Sequence, residues 1–287
     1  MSTQVDWKKV IPKVAELNAL VAGDAEPSIA ALACSEAELD AIRLLADVLS
    51  ATARYHATAV PPAAVKALFR KMLRWPLDRA FPAIDVLRVL LTHPDGSAAV
   101  AAEAGSVFVS AQTERIAAAR LVPALRPVVL LTARALGNAC AAESTRLLIL
   151  GGASAVLDCA ADLLQYDNAP VRAATCTLLH NVAHAMHTQA RRAQLAGGGG
   201  GEPNPDHVDQ LLALTLEGLS VVGGAAPERA DAVAAAALLL ALGTVARFAP
   251  RFAATARSLE LPEAVAAAAR ALPAVAALAA EVLIVLR

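Results

Sequence analysis

The sequence predicts an all-α fold in which consecutive helices stack as an α-solenoid. The first observation is composition, because 57% of the 287 residues are hydrophobic and only 3% are aromatic. Alanine and leucine are the strongest helix formers, whereas β-sandwiches depend on β-branched and aromatic residues. The second observation is that apolar residues recur with helical spacing along almost the whole chain. The third is that only short turns containing proline or glycine interrupt this pattern.

The first half of the chain contains helices with clear start and stop signals. Ser35 and Glu38 form a capping box that begins a helix running to about Tyr55. The prolines at 61–62 end that unit and begin the next. The turn HPDG at residues 93–96 ends a third helix, and a shorter, weaker segment follows. The apolar positions that define the three helices are Leu39, Ile42, Leu45, Ala46, Leu49, Val65, Leu68, Phe69, Leu73, Phe81, Ile84, Leu87 and Leu91.

The second half continues the same pattern, with an interruption at the glycine pair 151–152. The helices predicted there cover about residues 123–141, 155–165, 169–187, 206–220, 230–247 and 261–287. HEAT and armadillo repeats take ~40–47 residues each, so a chain of this length holds about six. The predicted fold class is therefore an armadillo/HEAT-like α-solenoid superhelix of about six helical repeats.

A glycine-rich segment lies between two of these helices. Residues 197–201 are five consecutive glycines, and EPNP follows at 202–205. Glycine loses the most backbone entropy on ordering, so residues 197–205 are predicted to be a disordered loop inside a single domain spanning 1–287. A phosphate-binding loop would need a Lys-Ser/Thr pair, which is absent here.

Charge and hydropathy exclude two classes of partner. Lys plus Arg (25) does not exceed Asp plus Glu (26), so no nucleic-acid partner is expected. The most apolar stretch, residues 232–246, would form a helix roughly 22 Å long, shorter than the ~30 Å hydrocarbon core of a bilayer. We therefore expect no membrane partner. The N-terminal ten residues include Asp6, Lys8 and Lys9 and lack an apolar core, so no signal peptide is predicted.

No pattern of catalytic or metal-binding residues is present. Four cysteines occur without a CxxC pair, which fits a reducing compartment, and no GxSxG or Cys–His–Asp arrangement is found. His180, His184 and His187 share one face of a predicted helix, but no acidic or cysteine partner is placed near them for zinc. The sequence therefore predicts no enzyme, no cofactor and no metal.

Four segments carry a recognisable series of motifs. They are residues 75–88 (WPLDRAFPAIDVLR, followed by HP at 93–94), 130–138 (LLTARALGN), 174–181 (ATCTLLHN) and 238–244 (LLLALGT). In this order they resemble the PUL domain at the C-terminus of phospholipase-activating protein and its fungal counterparts. The resemblance implies an armadillo-like superhelix.

The resemblance also implies a function. It implies a non-catalytic protein-binding domain of the ubiquitin system, which binds the C-terminal tail of the AAA+ segregase valosin-containing protein in a basic concave groove. Ubiquitin itself is expected to be contacted only through other domains. The expected localisation is the cytoplasm and also the nucleus.

Candidate groove residues are polar side chains within or beside the motifs. A guanidinium donates to a carboxylate in two places, and an amide both donates to and accepts from a peptide backbone. The residues expected to bind peptide are Arg88, Arg134, Asn138, Asn181, Arg79 and Arg172. The alternative is that these arginines are solvated or hold loop carbonyls and that the asparagines cap local turns. A local basic cluster, Lys66, Arg70, Lys71, Arg74 and Arg79, adds positive charge to this part of the chain.

One position departs from the family pattern. The family commonly has a basic residue before the block at 238–244, lining the groove, and this chain has Ala237. The departure favours an alternative function, a structural solenoid or a regulatory domain fused to a thioredoxin or desumoylating peptidase module without tail binding.

Overall fold

The fold is helical throughout the part that the structure describes. The computed structural model describes residues 5–196, 202–223, 229–248 and 250–287. Within these ranges every regular element is an α-helix or a 3₁₀ helix, and none is a strand. This result confirms the predicted all-α class. The chain divides into two compact units, Met1–Ile149 and Leu150–Arg287, and the single domain remains a prediction.

The first unit is built around one central pair of helices, α5 and α8. Its helices are α1 (Trp7–Ala22), α2 (Pro27–Ala30), α3 (Glu36–Ser50), α4 (Pro62–Arg70), α5 (Leu77–Leu90), α6 (Pro94–Ala104), α7 (Val107–Ala119), α8 (Arg126–Ala139) and α9 (Glu143–Gly151), which ends in the second unit. Ala80 and Ala83 on α5 and Ala133 and Ala135 on α8 are fully buried. Small side chains shorten the distance between packed helices, which explains the alanine-rich composition.

The second unit is built around α11 and α13. Its helices are α10 (Ala153–Leu164), α11 (Ala169–Leu195), α12 (Pro205–Val222), α13 (Ala232–Ala246), α14 (Pro250–Ser258), α15 (Leu261–Ala271) and α16 (Ala276–Val285). α13 packs against α11, α12 and α16, and α10 packs against α11 and α12. The predicted helix 261–287 is instead broken between α15 and α16. Pro273 causes the break, because a residue before proline avoids helical angles and Leu272 has φ −126° and ψ 85°.

The capping box predicted at Ser35 is present. The Ser35 backbone N–H donates to the Glu38 carboxylate at 2.7 Å, and the Glu38 N–H donates to the Ser35 hydroxyl at 3.4 Å. The helix it begins is shorter than expected, because α3 ends at Ser50 and a 3₁₀ helix, Thr52–Ala57, follows. The Tyr55 hydroxyl donates to the Leu49 carbonyl at 2.8 Å and so holds the 3₁₀ helix against the end of α3.

His93 connects this 3₁₀ helix to the start of α6. The imidazole is fully buried, and its ring centroid lies 4.6 Å from that of Tyr55. The Gly96 N–H donates to Nδ1 at 3.4 Å, and Nε2 lies 3.1 Å from the Thr58 hydroxyl oxygen. Because Nδ1 accepts, Nε2 carries the proton and donates to Thr58, which in turn donates to the Arg54 carbonyl. The Gly96 contact requires a neutral ring, because a protonated Nδ1 cannot accept a hydrogen bond.

We expect this arrangement to lower stability in mild acid. Burial lowers the pKa of His93 from its ordinary value of 6.5, with a smaller opposing effect from Asp95. The unfolded chain therefore binds a proton more readily than the folded chain does. The contribution of His93 to the stability of the fold is present above about pH 6.5 and is lost as pH falls through the depressed pKa. Between pH 7.5 and pH 5.5, the free energy of unfolding measured in urea should fall more for the wild type than for His93→Asn, which keeps an N-cap acceptor. Equal falls would contradict this role of His93.

The glycine-rich segment lies largely outside the described residues. Residues 197–201 are not described, and the prediction of disorder there remains a prediction. After them, Glu202 pairs with Arg251, and the Asn204 side chain accepts from the Asp206 N–H at 3.0 Å to cap α12. The helix therefore begins at Pro205, one residue earlier than predicted.

No single helix in the described ranges is long and apolar enough to cross a membrane. The bent pair Glu143–Gly151 and Ala153–Leu164 reaches that length and composition only when its two helices are taken together.

Candidate peptide-binding site

Two of the predicted arginines lie together between α5 and α8. Arg88 is in the last turn of α5 and is only 3% exposed, and its Nε donates to the Asp85 carboxylate at 2.5 Å. Arg134 on α8 is partly buried and makes no hydrogen bond with any described residue. The group therefore contains two guanidinium groups and one carboxylate.

The electrostatics confirm that these three side chains are neighbours. The pKa of Arg134 is lowered mainly by burial and further by the charge of Arg88, while the Asp85 carboxylate opposes the shift. Two positive charges face one negative charge, so the group has an excess of positive charge in a partly buried position. Such a position strengthens an interaction with an anion, because water screens it less than at the surface.

Asn138 supports this group rather than facing solvent. It is 2% exposed, and its amide nitrogen donates to the Arg88 carbonyl at 2.7 Å. Asn138 follows Arg134 by four residues, so both side chains lie on one face of α8. The contact fixes the end of α5 against α8 and so holds Arg88 beside Arg134.

Asp85 belongs to the same group, although it was not among the sequence-predicted residues. It precedes Arg88 by three residues in the motif at 75–88, and residues three apart on a helix are neighbours. This spacing was the signal that would have identified the ion pair from the sequence.

Arg79 is engaged elsewhere. Its guanidinium donates to the Asp24 carboxylate at 2.6 Å and to the Leu20 carbonyl at 3.3 Å. The pKa of Asp24 is lowered by a hydrogen bond from the Glu26 backbone and by the hydrogen bond from Arg79. Arg79 therefore joins the start of α5 to the residues that follow α1, and the structure does not bring it to Arg88 and Arg134.

The rest of the basic cluster is also largely neutralised. Arg70 donates to Glu103 at 2.8 Å, and Lys71 donates to Glu38 at 2.6 Å. With Arg79 paired to Asp24, three of the five basic residues of this cluster have carboxylate partners. A general positive field from the cluster is therefore weaker than its sequence indicated.

The two remaining candidates lie in the second unit, on α11. Arg172 is 4% exposed and donates through Nη1 to the Tyr166 carbonyl at 2.9 Å, while its buried Nε has no partner among the described residues. It therefore holds a loop carbonyl, as the alternative interpretation proposed. Asn181 is partly buried. Ala237, the position of the missing basic residue, is on α13 and is 8% exposed.

The described ranges contain no metal site, and three of the four thiols are unreactive. No group of three His, Cys, Asp or Glu side chains there is arranged to hold a metal ion. All four cysteines are buried, and none forms a disulfide with a described residue. Burial raises the pKa of Cys34 to about 11 and those of Cys140 and Cys176 to about 12, so these three thiols stay protonated near neutral pH.

Comparison with known proteins agrees with the geometry. The model of the PUL domain family matches residues 1–282. No curated protein matches the chain. Among solved structures, the designed armadillo repeat protein YIII(Dq)4CqI has 15% identity and a TM-score of 0.59, covering 97% of this chain and 100% of that chain. An engineered protein from the Northeast Structural Genomics Consortium has 16% identity and a TM-score of 0.62, covering 96% of each chain.

These similarities confirm the fold that the sequence predicted. At this level of identity the solved structures establish an armadillo-like α-solenoid, and the number of repeats remains a prediction. The PUL domain is a protein-interaction domain.

Proposed function

This chain belongs to the PUL domain family, and we propose that it binds the acidic C-terminal tail of the AAA+ segregase valosin-containing protein. In this role it is a non-catalytic domain of the ubiquitin system, working in the cytoplasm and the nucleus. Ubiquitin would be contacted only through other domains. Protein interaction is the role of the PUL domain family as a whole.

The proposal rests on one observation, the position and hydrogen bonding of the Arg134 guanidinium. Its guanidinium is partly buried, has no hydrogen-bond acceptor among the described residues and lies beside the buried pair of Arg88 and Asp85. A guanidinium has five N–H donors, and those of Arg134 have no acceptor among the described residues. A carboxylate of an acidic tail would accept from these donors and balance the excess positive charge.

The structure changes which arginine gives the cleaner test. Arg88 is buried and holds Asp85, so its removal would alter stability as well as binding. Arg134 has no such partner in the part of the chain that the structure describes, so its charge can be removed with less effect on the fold. Arg134→Gln also keeps most of the aliphatic stem that packs against neighbouring residues.

We expect Arg134→Gln to weaken binding of an acidic segregase tail peptide at least tenfold. A hydrogen bond to a charged group is worth about 1.5–3 kcal/mol, and about 1.4 kcal/mol corresponds to a factor of ten. The matched control is Arg126→Gln, which removes an exposed charge from the first turn of the same helix. A screened surface charge is worth about 1 kcal/mol or less, so this control should bind within about fivefold of the wild type.

The measurement is calorimetric titration of the three proteins with the same peptide, together with their melting curves. Unchanged affinity for Arg134→Gln would remove this residue from the site. Equal losses in both variants would indicate general attraction rather than direct contact. No binding by the wild type would contradict the proposed function.

A second candidate function is favoured by Ala237. Its methyl group is nearly buried and offers no charge where the family commonly has one. In this alternative the chain is a structural solenoid, or a regulatory domain fused to a thioredoxin or desumoylating peptidase module, and it binds no tail. If the wild type does not bind the peptide and Ala237→Arg does, the alternative is supported.

A further inference from the structure

A separate cleft lies within the second unit, between α11, α13 and α16. Its volume is about 390 Å³, which is within the range of ligand pockets. Its apolar lining includes Leu239 from α13 and Leu278, Val282 and Val285 from α16. Gly243 also faces the cleft, where a Cβ would lie 3.4 Å from a Val282 methyl group. Most of the lining that α13 and α16 contribute is therefore apolar.

The third side and one end of the cleft carry basic groups. His184 and His187 line it from α11, and Arg247 lines it from the end of α13. His187 is held in place by its ring, which stacks on Phe248 with the centroids 5.6 Å apart and the planes 10° apart. Arg247 is exposed and has no hydrogen-bond partner among the described residues.

The charges around His187 are positive. Burial lowers the pKa of His187, and His184, Arg191 and Arg247 lower it further. Glu281 lines the same cleft from α16 but is not among the groups that shift this pKa. Arg251 on the neighbouring α14 is paired with Glu202. Among the described residues that line the cleft, one carboxylate, Glu281, therefore stands against Arg247 and two histidines.

We propose that this cleft binds the apolar C-terminal residue of a peptide, with its terminal carboxylate facing Arg247 and the two histidines. The space accommodates one or two residues, so the apolar group and the anion must be close together in the ligand. A chain terminus provides both on a single residue. Glu281 is placed to accept a backbone N–H from the same segment, because an ionised carboxylate is an acceptor.

This inference rests on the proposed function for the class of ligand, an acidic peptide tail. It uses different residues, since Arg88 and Arg134 are in the first unit and Arg247, His184 and His187 are in the second. The two sites can therefore fail independently in the same set of measurements.

The test uses an acidic decapeptide that ends in leucine, either as the free acid or as the C-terminal amide. We expect the amide to bind the wild type at least tenfold more weakly, because it lacks the anion. Arg247→Gln should reduce affinity for the free acid by about tenfold, as expected for loss of a charge-assisted hydrogen bond. Arg270→Gln is the matched control, because Arg270 is exposed on α15 and does not line this cleft.

Binding should also take up a proton. A carboxylate beside His187 stabilises the imidazolium, so affinity for the free acid should rise from pH 7.5 to pH 6.0. Titrations in buffers of different ionisation enthalpy measure the proton uptake directly. His187→Phe keeps an aromatic ring against Phe248 and should reduce both the uptake and the pH dependence.

Each outcome separates the two proposals. Equal affinity for acid and amide, or unchanged affinity in Arg247→Gln, would overturn the inference about the cleft. If Arg134→Gln binds more weakly in that case, the proposed function stands. Loss in Arg247→Gln with no loss in Arg134→Gln would support the cleft and reject the Arg88–Arg134 site. A wild type that binds neither peptide would overturn both.

Discussion

Replacing Gly96 with alanine is expected to lower the free energy of unfolding by about 3 kcal/mol, the upper end for overpacking a core. An added Cβ would lie 2.3 Å from the Leu90 carbonyl oxygen and 2.6 Å from its Cδ1. A leucine side chain can rotate away, but the backbone carbonyl ends α5 and cannot move without opening the turn into α6. This turn also carries the hydrogen bond from the Ser97 hydroxyl to the Leu91 carbonyl at 2.6 Å.

Gly151→Ala is the matched control for this experiment. Gly151 is also helical, but a Cβ added there meets no atom within 4 Å. Alanine should be neutral or stabilise the protein by about 0.4–1 kcal/mol, because it restricts the unfolded chain. Urea unfolding of both variants measures the difference. Equal stability of the two variants would contradict the close approach of α6 to the end of α5.

Replacing Arg88 with alanine is expected to lower the free energy of unfolding by about 3–5 kcal/mol, the loss typical of a buried ion pair that loses one partner. Arg88 is 3% exposed, and Asp85 would keep its charge without the guanidinium that now lies 2.5 Å away. Peptide binding by this variant would reflect the altered fold as well as the missing charge. The melting temperature should fall by about 6–20 °C.

The double variant Arg88→Met with Asp85→Leu tests whether the loss of stability comes from leaving the Asp85 carboxylate without its partner. Replacing both members of a buried pair with apolar residues is often neutral or stabilising, so the double variant should recover most of the loss. If it is as unstable as Arg88→Ala, the loss does not come from leaving Asp85 unpaired. Thermal and urea unfolding of the three proteins give this comparison.

The local signals in the sequence determined the helices. The capping box at Ser35 and the proline at the start of α12 involve only residues within one helical turn. Such signals can therefore be recognised from the sequence alone. The prediction of one continuous helix over 261–287 was wrong for a local reason as well. Pro273 interrupts the helix despite the apolar periodicity around it. The short helix α14, Pro250–Ser258, was not predicted, since nine residues give little periodicity to detect.

The motifs and their order also identified the family and the helices that carry the candidate site. They placed Arg88, Arg134 and Asn138 among the candidates, and the structure brings these three together. The sequence by itself therefore determined the all-α fold, the family and a short set of arginines.

Only the tertiary structure decided which of those arginines has donors left for a ligand. Arg79 is neutralised by Asp24, 55 residues earlier, and Asn138 is bound to a carbonyl 50 residues earlier. Partners so far apart in the chain meet only when α5 packs against α1 and α8. The apolar periodicity of the sequence does not predict which charged residues then become neighbours. The burial of a side chain also depends on tertiary packing, because other helices cover the face on which it lies. The guanidinium of Arg134 is available to a ligand for this reason, since the packing that buries Arg88 beside Asp85 places no acceptor from the described residues opposite Arg134.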